Sequence, residues 1–277
     1  MSDTPQQPEP EPQPEPGPQP EPELDVFGHA PKGRDDWAHR KGEPRTFALF
    51  WMIYLMGASL LMVASIAAVQ SVSPGVVRPA ARAMLTTATL GLFVLWPMVR
   101  LSQKPPKGSK LGAVFADLLV MLPPLAALTL PQALDVLADW PMPVVLAVLL
   151  ATAGWAVLFA CLLALALRTL HHEGGDQWHR VLWMILFTLL VLAPPVYHTL
   201  AATPGPTPNP VVAAPGPGSW MSPLSLVTDL ITDRSAMGRS AVIGPGHWVL
   251  IMRVWAVALA ATAAGLAATL ARPARGA

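Results

Sequence analysis

Long apolar runs alternate with short polar segments from residue 46 almost to the end of the chain. A helix needs roughly 20 apolar residues to cross the hydrocarbon core of a bilayer. Six runs approach or exceed that length, and they lack the apolar–polar alternation of membrane β-strands. The pattern therefore predicts an all-α, polytopic membrane protein with a six-helix transmembrane bundle at 46–271. The predicted helices are 46–69, 80–99, 111–134, 143–167, 181–201 and 248–271.

The composition agrees with a membrane class. Of the 277 residues, 53% are hydrophobic and 13% are charged, whereas soluble domains carry about 25% charged residues. We therefore expect the lipid bilayer to be the main partner of this surface. The net charge of +1 argues against nucleic acid as a partner, because binding nucleic acid requires a concentrated basic surface.

The N-terminal segment 1–24 repeats Pro and Glu with almost no apolar side chain. Such a sequence buries too little surface to offset the entropy lost on ordering, so we predict a disordered tail. The tail is either a solubilising extension or a docking element that recruits partners. Residues 25–45 are predicted to be a basic segment on the cytoplasmic membrane surface, and 272–277 to be a cytoplasmic C-terminus.

Lysine and arginine favour one side of the predicted bundle. With six spans, thirteen of these residues fall on the side of both termini, against Arg78, Arg82, Arg234 and Arg239 on the other. Cytoplasmic loops carry an excess of Lys and Arg. The sequence therefore predicts a multi-pass protein of the plasma (inner) membrane with both termini cytoplasmic and 202–247 as an outer loop.

The outer loop contains one predicted helix. Ser222 can cap its start and Pro223 suits its first turn. Five apolar side chains then form a stripe along one face of 222–233: Leu224, Leu226, Val227, Leu230 and Ile231. Two interpretations remain open, a helix on the outer membrane surface and a cover over the bundle.

The sequence offers few residues that could carry chemistry. His171, His172 and His179 in the 168–180 loop are weak metal-ligand candidates, but their spacing matches no metal signature, so we favour a polar turn. A P-loop, an H-E-x-x-H motif and a nucleophile elbow are all absent from the sequence. We therefore expect no enzymatic activity in this chain and no cofactor.

Four intramembrane residues are candidate functional positions. Asp117 and Arg253 are charged side chains inside predicted helices, where charges are costly unless they are paired or face a cavity. Asp117 either faces a functional interface or snorkels to cap a neighbouring helix. Arg82 and Arg253 both lie toward the opposite membrane face, which makes them unsuitable partners for Asp117. Pro123 and Pro124 remove backbone donors from the same helix as Asp117, so we expect a kink or a split there.

The last predicted helix carries small residues at four-residue spacing, which predicts close packing within the bundle or against a second copy. These residues are Ala256, Ala260, Ala264 and Ala268.

The entry to the first helix resembles a known family. Trp37 precedes the basic turn of Arg40, Lys41 and Arg45, which leads into "TFALFWMIYLMGASLLM". This stretch resembles the start of permease subunits of type-2 ABC exporters. The resemblance implies six helices, cytoplasmic termini, helical pieces in the outer loop, a separate ATPase chain and a homo- or hetero-dimer.

The connection after the second predicted helix departs from that family. It reads "RLSQKPPKGSK", which is basic and Pro-rich, where the family tends to have an acidic, Arg-rich segment that meets the ATPase. A second interpretation therefore stays open beside the permease. It is a non-transporting membrane scaffold or accessory subunit whose tail recruits partners.

Overall fold

The computed structural model describes residues 44–69, 73–103, 109–172, 177–201, 215, 218–233 and 241–270, and these residues form an all-helical bundle. Six helices are long and apolar enough to cross a membrane, so the prediction of a six-helix polytopic membrane protein is confirmed. The helices are α1 (Pro44–Val69), α2 (Pro74–Ser102), α3 (Lys110–Thr129), α4 (Met142–His172), α5 (Gln177–Ala201), the short α6 (Pro223–Leu230) and α7 (Pro245–Leu270).

The ends of the helices define two faces of the bundle. We call the face where α1 ends and α2 begins the predicted outer face, and the face where α2 ends and α3 begins the predicted inner face. The predicted tail, most of the predicted surface segment and the predicted C-terminus lie outside the described residues. The orientation of the bundle in the membrane stays a prediction.

Helix α4 lies at the centre of the bundle. It packs against α3, α6 and α7, and most of its apolar span is buried. Helices α1, α5 and α7 instead expose most of their apolar side chains. In water that exposure would be unfavourable, whereas in a bilayer the surrounding hydrocarbon is as apolar as the side chains.

Helix α2 contains a π-helical segment at Gly91–Leu95. Pro97 has no N–H, so the carbonyl of Phe93 lacks its usual α-helical donor. At the end of the segment the backbone N–H of Trp96 donates to Gly91 O, five residues earlier, where an α-helix would pair it with Leu92 O. Tyr54 of α1 packs directly on this segment. A Cβ placed on Gly91 would meet Tyr54 Cε1 at 2.1 Å, so the contact requires glycine. The Tyr54 hydroxyl donates to Thr87 O at 2.6 Å.

Helix α3 continues through Pro123 and Pro124 without dividing in two, so of the two expected outcomes the split does not occur, and the kink stays a prediction. Neighbouring groups make such prolines tolerable inside membrane helices. In the same stretch Trp51 of α1 donates its indole N–H to Met121 O at 3.1 Å, which ties α1 to α3. Pro123 is exposed and Pro124 is half-buried.

Helix α6 packs onto the bundle near the predicted outer face. Its apolar stripe is buried against α2, α4 and α5. Ser222 accepts a hydrogen bond from Leu224 N at 3.1 Å and donates to Val191 O of α5 at 2.7 Å. This geometry supports the interpretation of α6 as a cover over the bundle. We call residues 218–233 the outer cover.

The row of small residues on α7, from Ala256 to Ala268, is exposed, and α7 meets α4 through another face. There Thr262 Oγ1 lies 3.3 Å from Cys161 Sγ. The row therefore does not pack within the described bundle, and the dimer stays a prediction.

Candidate functional site

Asp117 is a buried carboxylate with two polar partners on α2. Its Oδ2 lies 3.2 Å from Arg100 Nε and accepts a hydrogen bond from Trp96 Nε1 at 3.2 Å. The two charged side chains are 12% exposed for Arg100 and 8% exposed for Asp117. The sequence alone allows two interpretations of Asp117, a carboxylate that faces a functional interface and one that snorkels to cap a neighbouring helix. The geometry places Asp117 between two helices, where it joins them.

The local structure of α2 brings both partners to Asp117. Trp96 directly follows the π-helical segment, and Arg100 lies one helical turn beyond it, so the two side chains share a face of α2. Arg100 Nη1 also donates to Gln103 Oε1 at 3.1 Å. The Arg100 Nε contact with Asp117 lacks the direction of a hydrogen bond, so its contribution comes from the charge.

The inner end of α2 is also tied to α5. Arg180 Nη1 donates to Leu101 O at 3.4 Å, and the last turns of α2 pack against α5. The Asp117 cluster therefore lies where α2, α3 and α5 are connected by polar contacts. It lies beside the 103–109 connection, of which 104–108 are outside the described residues.

Two further arginines of α2 make ion pairs near the predicted outer face. Arg78 is buried, donates from Nε to Ala138 O at 2.8 Å and lies 3.4 Å from Asp139 Oδ2. Asp139 has a φ of 49°, in the left-handed region that non-glycine residues rarely adopt. Arg82 forms an ion pair with Asp233 of the outer cover. Helix α2 thus holds both the turn before α4 and the outer cover.

A further carboxylate organises the outer cover. Asp229 accepts a hydrogen bond from Ser219 Oγ at 2.6 Å, and His247 Nε2 lies 3.5 Å away. The backbone N–H of Gly244 donates to His247 Nδ1, so a neutral His247 carries its proton on Nε2. A nucleophilic triad requires serine to donate to histidine. Here serine donates to the carboxylate, which makes this a structural cluster.

The remaining sequence candidates do not join the Asp117 cluster. Arg253 is exposed on α7. The side chains of His171 and His172, in the last turn of α4, lie outside the described residues, and His179 is half-buried on α5. Within the described ranges, His, Cys, Asp and Glu form no group of three that could hold a metal ion.

The residues predicted to form the membrane entry are mostly outside the described part. Trp37, Arg40 and Lys41 lie before it, and Arg45 lies in the first turn of α1. The role proposed for these four residues stays a prediction.

Comparisons with family models, with curated proteins and with solved structures found no match to this chain. The packing and the ion pairs of α2 are therefore the observations that bear on function.

Proposed function

We propose that this chain is the permease subunit of an ABC-type transporter, which moves an unidentified substrate with a separate ATPase chain. The observation that carries the proposal is the distribution of ion pairs along α2. Arg78 and Arg82 bind carboxylates near the predicted outer face, and Arg100 binds Asp117 near the predicted inner face.

A helix held at both ends can transmit displacement across a membrane. Helix α2 spans 29 residues, or about 44 Å at a rise of about 1.5 Å per residue. A displacement of its inner end relative to α3 and α5 would therefore act on the outer cover through Arg82. The π-helical segment lies between these ends, and such segments occur frequently at functional sites.

The 103–109 connection is the natural contact for an ATPase in this proposal, because it directly joins the two partners of the Arg100–Asp117 ion pair. Its sequence contains Lys104 and Lys107 and no acidic residue. A basic connection needs a complementary acidic surface on the ATPase. We therefore expect the surface of the ATPase that contacts this connection to be acidic.

The test is to produce this chain together with a P-loop ATPase encoded by an adjacent reading frame, and to measure ATP hydrolysis in nanodiscs. We expect the pair to copurify and to hydrolyse ATP faster than the ATPase alone. The double variant Lys104→Glu/Lys107→Glu should abolish that stimulation. The matched control, Arg272→Glu/Arg275→Glu, reverses two charges predicted to lie on the same membrane side and should leave stimulation unchanged.

The accessory-subunit interpretation makes the opposite prediction. If no adjacent frame encodes a P-loop ATPase, or if hydrolysis is the same with and without this chain, the permease proposal is wrong. Equal loss in the test and control variants would show that the 103–109 connection is not the specific contact.

A further inference from the structure

A groove of about 480 Å³ lies between α4 and α7 toward the predicted outer face. Its walls are largely apolar and include Trp155, Leu158, Trp220, Val249, Val254 and Val257. Arg253 is the only charged side chain among the lining residues that the structure describes. The volume falls within the range of about 300–1,000 Å³ that is usual for ligand sites.

Arg253 lies at a depth from which it can reach lipid headgroups. It is about 12 Å along α7 from Pro245, at a rise of about 1.5 Å per residue. Helix α7 has 26 residues, or about 39 Å, so about 4 Å at each end extends beyond a core of about 30 Å. The Arg253 backbone is then about 8 Å below the outer boundary of the hydrocarbon, and its long side chain can extend toward that boundary.

Among the described residues, the lining of the groove contains a charged donor but no acidic acceptor for it. Arg253 is exposed and has no ion-pair partner among the described residues. Trp155 is 7% exposed, and its buried Nε1 has no hydrogen-bond partner within the described ranges. In contrast, Trp255 of α7 donates its indole N–H to Leu150 O of α4 at 2.9 Å.

We infer that this groove binds an anionic phospholipid of the outer leaflet, with the phosphate on Arg253 and an acyl chain along the valines of α7. The apolar lining and the exposure to hydrocarbon favour a lipid. The guanidinium group of arginine matches phosphate geometry with two parallel donors. The described residues that line the groove include no carboxylate to receive an ammonium headgroup, so an anionic lipid is preferred over a zwitterionic one.

The inference is independent of any ATPase and is tested on this chain alone. The protein is placed in nanodiscs with equal amounts of phosphatidylglycerol and phosphatidylcholine of the same chain length. Retained lipids are then counted by native mass spectrometry. We expect the wild type to retain phosphatidylglycerol preferentially. Arg253→Gln should lower that preference about tenfold, as expected for the loss of charge-assisted hydrogen bonds. Arg253→Lys should have an intermediate effect.

Two further variants separate the groove from the general lipid surface. Val257→Phe fills the groove and should reduce retention of phosphatidylglycerol while Arg253 is intact. Met252→Phe changes a side chain that is 68% exposed on the same helix and does not line the groove, so retention should be unchanged. Equal retention of the two lipids by the wild type, or full retention by Arg253→Gln, would overturn the inference. Loss of bound lipid on addition of inorganic phosphate would indicate a site for the free anion.

Discussion

The ion pair between Arg100 and Asp117 predicts a specific pattern of stability changes. Asp117→Asn keeps the shape of the side chain and an acceptor oxygen for Trp96, but it leaves the Arg100 charge without its carboxylate. Removing one partner of a buried ion pair costs about 3–5 kcal/mol in soluble proteins. Arg100 lies near the end of α2 and also contacts Gln103, which compensates part of the loss. We therefore expect the free energy of unfolding to fall by about 2 kcal/mol.

The double variant Arg100→Gln/Asp117→Asn isolates the pairwise contribution. It removes both charges, so neither is left buried alone. The double variant should lose less free energy of unfolding than the sum of the losses in Arg100→Gln and in Asp117→Asn. The expected difference is about 1.5 kcal/mol, which is within the range for residues in direct contact. The measurement is reversible unfolding by SDS in mixed micelles. Asp135→Asn is the control, because it removes an exposed carboxylate and should change stability by less than about 0.5 kcal/mol.

Asp117→Leu distinguishes the paired carboxylate from one that merely snorkels to headgroups. For a snorkelling carboxylate, leucine would favour insertion because the burial cost of the charge disappears. For the observed geometry, leucine removes the partner of Arg100 and the acceptor for Trp96, so it should destabilise the protein more than asparagine does. Additive losses in the double variant, or a stabilising Asp117→Leu, would refute the reasoning.

Two further predictions concern packing and topology. Gly91→Ala should lower the free energy of unfolding by about 1–3 kcal/mol, because the new Cβ would clash with the ring of Tyr54. Adding Tyr54→Leu to this variant should recover part of the loss in the same SDS titration. In a Cys161→Ala background, Val136→Cys should react with an impermeant maleimide from outside intact cells, whereas Ser102→Cys should react only after permeabilisation. The reverse labelling pattern would invert the predicted orientation.

The number and type of the long helices could be predicted from the sequence because they depend only on length and apolar content. Spans of about 20 apolar residues have few alternatives in a bilayer. Asp117 could also be identified as unusual, since a carboxylate within such a span is costly. The burial of the α6 stripe against α2, α4 and α5 could not be predicted, because an amphipathic helix suits both a membrane surface and a protein surface.

The partner of Asp117 was missed because of where the second helix was predicted to end. The apolar run stops at residue 99, which predicts a loop at Arg100, whereas the helix continues to Ser102. That short extension places Arg100 on the same face as Trp96 and within 3.2 Å of Asp117. The arginines that lie within predicted helices, Arg82 and Arg253, both belong to the predicted outer half and so do not suit Asp117.

The sequence carries a signal for the observed start of α2 at Pro74, which lies ahead of the predicted start at residue 80. Serine followed by proline favours a helix start, because serine suits the N-cap and proline tolerates the first turn. This pair correctly predicted the beginning of α6 at Ser222–Pro223. The same pair occurs at Ser73–Pro74, where α2 begins ahead of its apolar run. Applied there, it would have placed Arg78 inside the helix, where it is buried. A buried arginine requires acceptors, and these are the Ala138 carbonyl and Asp139. For membrane helices, start signals thus locate charged residues that apolar content alone assigns to loops.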